Sequence, residues 1–169
     1  VRECVTGYVV KKFDSVVSKT ELVGEPEVVF DTAGLWLQLP PRWAEFHPPG
    51  EWAGGMHALE HLLIAAAPVL AMCDRWDVGG LSAPDHPELG PVVFLYDRFP
   101  GGSGVSERLY GALPELVEAS LEMVRSCRCP AGCPSCVMSP KCGSGNEPLS
   151  KRVSRQVLEA LVKVVVRGA

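Results

Sequence analysis

Five of the seven cysteines fall within sixteen residues, from Cys127 to Cys142, in the run CRCPAGCPSCVMSPKC. Disulfide scaffolds spread their cysteines to staple distant loops, whereas a crowd of this kind organises one local set of turns. In a reducing compartment such a cluster usually binds metal. The spacing is Cys127-x-Cys129, three residues, Cys133-x-x-Cys136, five residues, Cys142. Paired thiolates on tight turns give Zn²⁺ the tetrahedron it prefers, at about 2.3 Å per sulfur, with little chain entropy lost. Pro130, Gly132, Pro134, Pro140 and Gly143 are turn residues in the right places. Four ligands suffice, so one cysteine is surplus. Cys127, Cys129, Cys133 and Cys136 form the compact set, with Cys142 the alternate, and one zinc is expected. With no open position such a site is structural, not catalytic. The competing reading is a group of inert or redox-active thiols. Cys4 and Cys73 stand apart and read as free, Cys73 as a small buried hydrophobe.

A chain of 169 residues, 47% apolar and 21% charged, is expected to form a single globular domain. The densest apolar stretch, Ala58 to Cys73, is broken by Glu60, His61 and Pro68. It falls short of the roughly 18 clean residues a membrane span needs, so no membrane partner is expected. No basic segment leads into a cleavable apolar stretch, so secretion is not expected either. The chain begins with Val1 and not Met, which points to a piece of a longer polypeptide. The net charge of −4 conceals a division. From Arg125 onward there are eight Lys/Arg against two Asp/Glu, so the acidic body ends in a basic third. Such asymmetry hints at one face meeting an anion, although like charges on a helix are more often a solvated face.

Alternating β-branched residues place strands at Val5 to Phe13, Ser15 to Val23 and Glu27 to Leu39, as an antiparallel meander turning at Gly24 and Pro26. Arg42 to Gly55 reads as an irregular connection. Met56 to Cys73 reads as a helix apolar nearly all round, central to the core, and kinked or divided at Pro68. Asp74 to Leu89 reads as turns, and Pro91 to Tyr96 as a strand buried on both faces. Helices follow from Val105, from Pro114 and, capped by Ser150, along the stripe Val153, Val157, Leu158, Leu161, Val164 and Val165. The fold class is therefore mixed α+β: N-terminal antiparallel strands, a buried central helix and strand, C-terminal helices and a four-cysteine knuckle. Its parts run 1–41 (strands), 42–126 (mixed core), 127–148 (knuckle) and 149–169 (final helix).

Two further patterns carry chemistry. His57-Ala-Leu-Glu60-His61 matches H-x-x-E-H, which puts two histidines on one helical face with a carboxylate available as base. A metal-dependent hydrolase would need a further ligand, with Glu107, Glu115, Glu118 and Glu122 as candidates. The plainer reading is a helix whose polar residues satisfy buried partners or dock a neighbouring domain. The unit strand–Asp97–Gly101-Gly102-x-Gly104–helix has the shape of an anion-binding turn but lacks the phosphate-loop and dinucleotide sequences. Glycines that allow a sharp turn explain it more simply.

Taken together, GGMHALEHLLIAAAPVLAMCDRWDVGGLS, VVFLYDRFPGGSGVSERLY and CRCPAGCPSCVMSPKCGSGNEPLSKR resemble the MrfA-type zinc-binding domain found at the C-terminus of DEAD/DEAH-box superfamily 2 DNA helicases. The resemblance runs from about Gly34 to the last helix. It implies zinc ligation by Cys127, Cys129, Cys133 and Cys136 and a cytoplasmic, nucleoid-associated role in DNA repair. It further implies RecA-like domains of the same chain as partners, because the ATPase motifs lie in those domains and not here. The fragment itself is then expected to be no enzyme and to have no small-molecule substrate. DNA is a candidate partner, with Arg128, Lys141, Lys151, Arg152 and Arg155 available for phosphates. A pure protein-docking module is the remaining alternative.

Overall fold

The computed structural model describes residues 1–5, 7–12, 15–22, 24 and 26–166. Thr6, Phe13, Asp14, Val23 and Glu25, which belong to the expected N-terminal strands and turn, lie outside the described residues. The strands that are described do not form a meander. β1 (Arg2–Cys4) pairs antiparallel with β4 (Glu27–Val29), and β2 (Gly7–Lys12) pairs with β3 (Ser15–Glu21) between them. The expected strand Glu27 to Leu39 is divided: its second half, β5 (Gly34–Gln38), joins a different sheet. Thr32 marks the break, its hydroxyl lying 2.8 Å from the carbonyls of both Asp97 and Phe99, which share its one proton and tie the chain down between the two sheets.

That second sheet is antiparallel, in the order β5-β7-β6, with β6 at Val78–His86 and β7 at Gly90–Asp97. β7 is central, as its continuous apolar run demands. β6 replaces the expected turns, because its glycines serve contact and not bending. A Cβ on Gly79 would lie 2.3 Å from the Tyr96 ring, and one on Gly80 would lie 2.8 Å from Glu60 and Ile64 of the facing helix. Bare backbone lets the helix approach the strand closely.

That helix is α1 (Pro49–Ala71). It begins seven residues earlier than its apolar pattern predicts, because Pro49 sets the first turn's φ without wasting a donor. A short 3₁₀ helix, Pro41–Phe46, precedes it where irregular chain was expected. Pro68 lies in the last turn and does not divide the helix, which ends at Met72 in the left-handed region (φ 49°). α1 has the length and hydropathy of a membrane span, yet most of its surface is buried within the protein. One side packs on β6 and β7, the other on α3 (Leu113–Ser126) and α4 (Lys151–Leu161). Leu59, Leu62, Leu63 and Ala67 are thereby sealed from solvent.

α3 buries Leu116, Val117, Ser120, Leu121 and Val124, the face its 3.6-residue period specifies. α4 buries Val153, Val157, Leu158 and Leu161, while Val164 is exposed in a terminal π-helical turn. The two helices meet α1 at different heights, and glycines decide where α4 sits. A Cβ on Gly55 would lie 2.3 Å from Val153, and Ser150 donates its backbone N–H to the Gly54 carbonyl at 2.9 Å. The mixed α+β class, with a buried central helix and strand and a C-terminal cysteine cluster, is as expected.

Candidate metal centres

α3 is followed by its capping residue Cys127, whose extended backbone (φ −73°, ψ 119°) turns the chain into the knuckle. Cys133 then accepts from the N–H groups of Cys136 (3.0 Å) and Met138 (3.2 Å), closing a tight turn. Gly132 enables it at φ 139°, where a Cβ would strike Val137 at 2.6 Å. The result brings four sulfurs together. Cys127–Cys129, Cys127–Cys133, Cys129–Cys136 and Cys133–Cys136 are separated by 3.5, 3.4, 3.5 and 3.8 Å. Tetrahedral zinc with sulfur at about 2.3 Å requires edges of about 3.8 Å. All seven cysteines are free thiols, so none of these separations is a disulfide. The donor set and its dimensions fit one zinc ion.

Lys151, the first residue of α4, completes this cluster. Its ammonium donates to the carbonyls of Cys127 (2.6 Å) and Cys129 (2.7 Å) and to Cys129 Sγ (3.2 Å). Four thiolates around a divalent cation leave an excess negative charge, which an adjacent ammonium offsets. Desolvation alone pushes the Cys129 thiol up, but the Lys151 hydrogen bond and those of neighbouring thiols outweigh it and bring it to about 6. Cys136, buried, is pushed up to about 12 by desolvation. Of these two thiols, the one under the lysine gives up its proton the more readily.

The H-x-x-E-H motif is built as its period predicts, with His57 and His61 one turn apart on α1 and ring centroids 4.4 Å apart. Both line a cavity of about 660 Å³ together with Glu60, Ser82, Lys141 and Cys142. Burial pushes the Glu60 carboxyl up, against the opposing pull of its Ser82 hydrogen bonds and of the neighbouring His57 and Lys141. Burial likewise pushes His61 down, opposed by the Val137 carbonyl. None of Glu107, Glu115, Glu118 or Glu122 lines this cavity. The third group that converges on the histidines is Cys142, the surplus cysteine, 3.3 Å from His57 Nε2. Cys142 therefore does not compete for the four-sulfur cluster. The available signal was that one cysteine and two histidines were each left over.

The five cations expected to face phosphate divide. Lys151 is spent on the cluster. Lys141 turns inward, donating to the carbonyls of Arg75 (2.7 Å) and Val78, with Trp76 5.8 Å from its ammonium; burial, with Arg98 and Arg75 nearby, lowers it to about 8. Both long side chains find partly buried carbonyls that local sequence cannot show. Arg152 pairs with Glu51, and Arg155 shares Glu159 with Arg125 at 2.9 Å. Arg128, Arg152 and Arg155 remain exposed.

The glycine loop after β7 encloses an anion of its own. Asp97, fully buried, accepts from Ser103 N (2.6 Å), Val105 N (3.2 Å), Ser106 N (2.7 Å) and the hydroxyls of Ser103 (3.1 Å) and Ser106 (2.5 Å). Desolvation works against this carboxylate, but those donors prevail and hold it below the usual range. The loop's N–H groups, which begin α2 (Val105–Gly111), are thus consumed by the protein itself.

A closed set of four sulfurs on a mixed α/β scaffold defines a zinc-binding domain. The sequence profile of the MrfA Zn-binding domain (MZB) matches residues 59–137. An uncharacterized protein of Methanocaldococcus jannaschii, MJ1572.1, is 38% identical over 111 residues, covering 63% of this chain and 99% of that protein. The chain belongs to the MrfA Zn-binding domain family. YprA of Bacillus subtilis, described as an uncharacterized ATP-dependent helicase, is 32% identical over 120 residues, which are 66% of this chain and 15% of YprA. Among solved structures, the DUF1998 helicase MrfA bound to DNA superposes with a TM-score of 0.60 and 25% identity, covering 87% of this chain and 19% of that one. The chain thus spans nearly all of the archaeal relative but under a fifth of the helicases.

Proposed function

We propose that the chain is a non-catalytic accessory domain of an ATP-dependent DNA helicase that acts in DNA repair in the cytoplasm, at the nucleoid. One zinc, held by Cys127, Cys129, Cys133 and Cys136, is structural. When bound it supplies a cross-link and no reaction. The observation that carries the reading is the four-sulfur cluster with Lys151 locking α4 onto it, in a family whose longer relatives are helicases.

The partner surface is the outer face of the β5-β7-β6 sheet. Trp36, Phe94 and Leu81 stand side by side in register across its three strands, and Trp36 and Leu81 are about 60% exposed. An apolar row of this kind suits a neighbouring domain of the same polypeptide. DNA contact is confined to Arg128, Arg152 and Arg155, at the basic end of the molecule. MrfA structures described as bound to DNA support DNA as a partner.

Fluorescence anisotropy with single- and double-stranded DNA across a salt series tests the DNA contact. Replacing the three arginines with glutamate is expected to flatten the dependence of log K on log salt by about two to three, near one per lost phosphate contact. An unchanged slope would leave domain docking alone.

A further inference from the structure

We propose that His57, His61 and Cys142 form a second divalent-metal site of the zinc class, with one coordination position open to the cavity. One ligand atom from each residue lies within 4.8 Å of the other two.

The orientation of the rings argues for ligation over incidental contact. His57 Nδ1 lies 2.9 Å from the Pro148 carbonyl, and His61 Nδ1 lies 2.7 Å from the Val137 carbonyl. A carbonyl only accepts, so each Nδ1 carries the proton and each Nε2 is left with its lone pair. Metal-binding histidines are held in this way, by a backbone acceptor on the far nitrogen. The third donor is prepared similarly. The Asn146 N–H lies 3.3 Å from Cys142 Sγ and the Ser144 hydroxyl 3.2 Å away, both suited to donate to a thiolate. Asn146 also clamps the loop, accepting from Ser139 N at 2.7 Å and donating to its carbonyl at 3.1 Å.

Two imidazole lone pairs and one sulfur share at most a single thiol proton, so a cation satisfies them better than they satisfy one another. Two nitrogens and one sulfur suit Zn²⁺. Three protein ligands leave a fourth position for water or an anionic ligand, in a cavity that also presents Glu60 and Lys141. The site does not depend on a helicase role for the chain.

The test is metal content of the purified protein, equilibrated with zinc and freed of excess by gel filtration. About two zinc ions per chain are expected in the wild type and about one in His57→Ala/His61→Ala and in Cys142→Ser. The ion that remains should give, on cobalt substitution, the intense charge-transfer band of four sulfurs. Loss of that band instead would count against the four-cysteine assignment alone. A single zinc in the wild type, or a second one kept in both variants, overturns the proposal. Should the variants misfold, the wild type still decides. Iodoacetamide should label Cys142 at least tenfold faster after mild chelation than with zinc present, and equal rates overturn the proposal.

Discussion

The stretch from Cys127 to Asn146 builds two convergent clusters that differ in almost every respect. One is local and closed: four sulfurs contributed within ten residues, with a lysine laid over them. The other is distant and open: two histidines of the core helix and a cysteine 85 residues from His57, facing a cavity. A closed set spends all its ligands on holding the chain, whereas an open set leaves room for exchange. The two are joined through one peptide, since Val137, which orients His61, directly follows Cys136. A third polar cluster, around Asp97, has its charge built in.

Breaking the closed cluster should have the largest effect. Cys133→Ser is expected to lose the zinc and, with it, the docking of α4. Structural zinc contributes about 10 kcal/mol or more to small domains, so calorimetry should show no cooperative transition near the wild-type melting temperature. A zinc-free protein melting normally would erase the distinction between the two clusters.

The Asp97 cluster should answer to pH and not to metal. Asp97→Asn is expected to lower stability at pH 7 by about 2 to 3 kcal/mol, because buried donors lose a charged acceptor. The folded carboxyl lies below its unfolded value of about 3.9. Its contribution is therefore complete above that value and is lost as pH falls through the folded one. The gap in urea midpoint between wild type and variant should therefore be constant from about pH 6 to pH 8, where the four thiolates keep their zinc, and should narrow only in acid.

Lys151→Met separates the ligands from their support. Zinc affinity, read by competition with a chromophoric chelator, should fall about tenfold, the scale of an outer partner. No change would mean that the ammonium serves only the two carbonyls. The smallest effect belongs to the open cluster. With zinc held at the closed cluster alone, His57→Ala should cost only about 1 to 2 kcal/mol in urea denaturation, since it removes the hydrogen bond to the Pro148 carbonyl and the contact with Cys142 Sγ at a half-buried site. A cost of several kcal/mol would make His57 as structural as Cys133.

These differences follow what was legible in the amino-acid order. The four-cysteine set, the buried faces of α3 and α4, the Ser150 cap and the central strand all express patterns within one turn system or one helical period. The errors lie where a distant surface chose. β6 looked like turns because its glycines answer to Tyr96 and Glu60, and the third N-terminal strand divided because Thr32 binds the far end of β7.

By itself, then, the amino-acid order determined the zinc cluster, the helical stripes and the two spare histidines, because spacing along a chain dictates what meets within a few residues. Only the tertiary structure decided that Cys142 faces His57 and His61, that Lys151 and Lys141 turn inward, and that Asp97 fills its own loop. Those encounters join residues from different elements, and packing around α1 sets their distances.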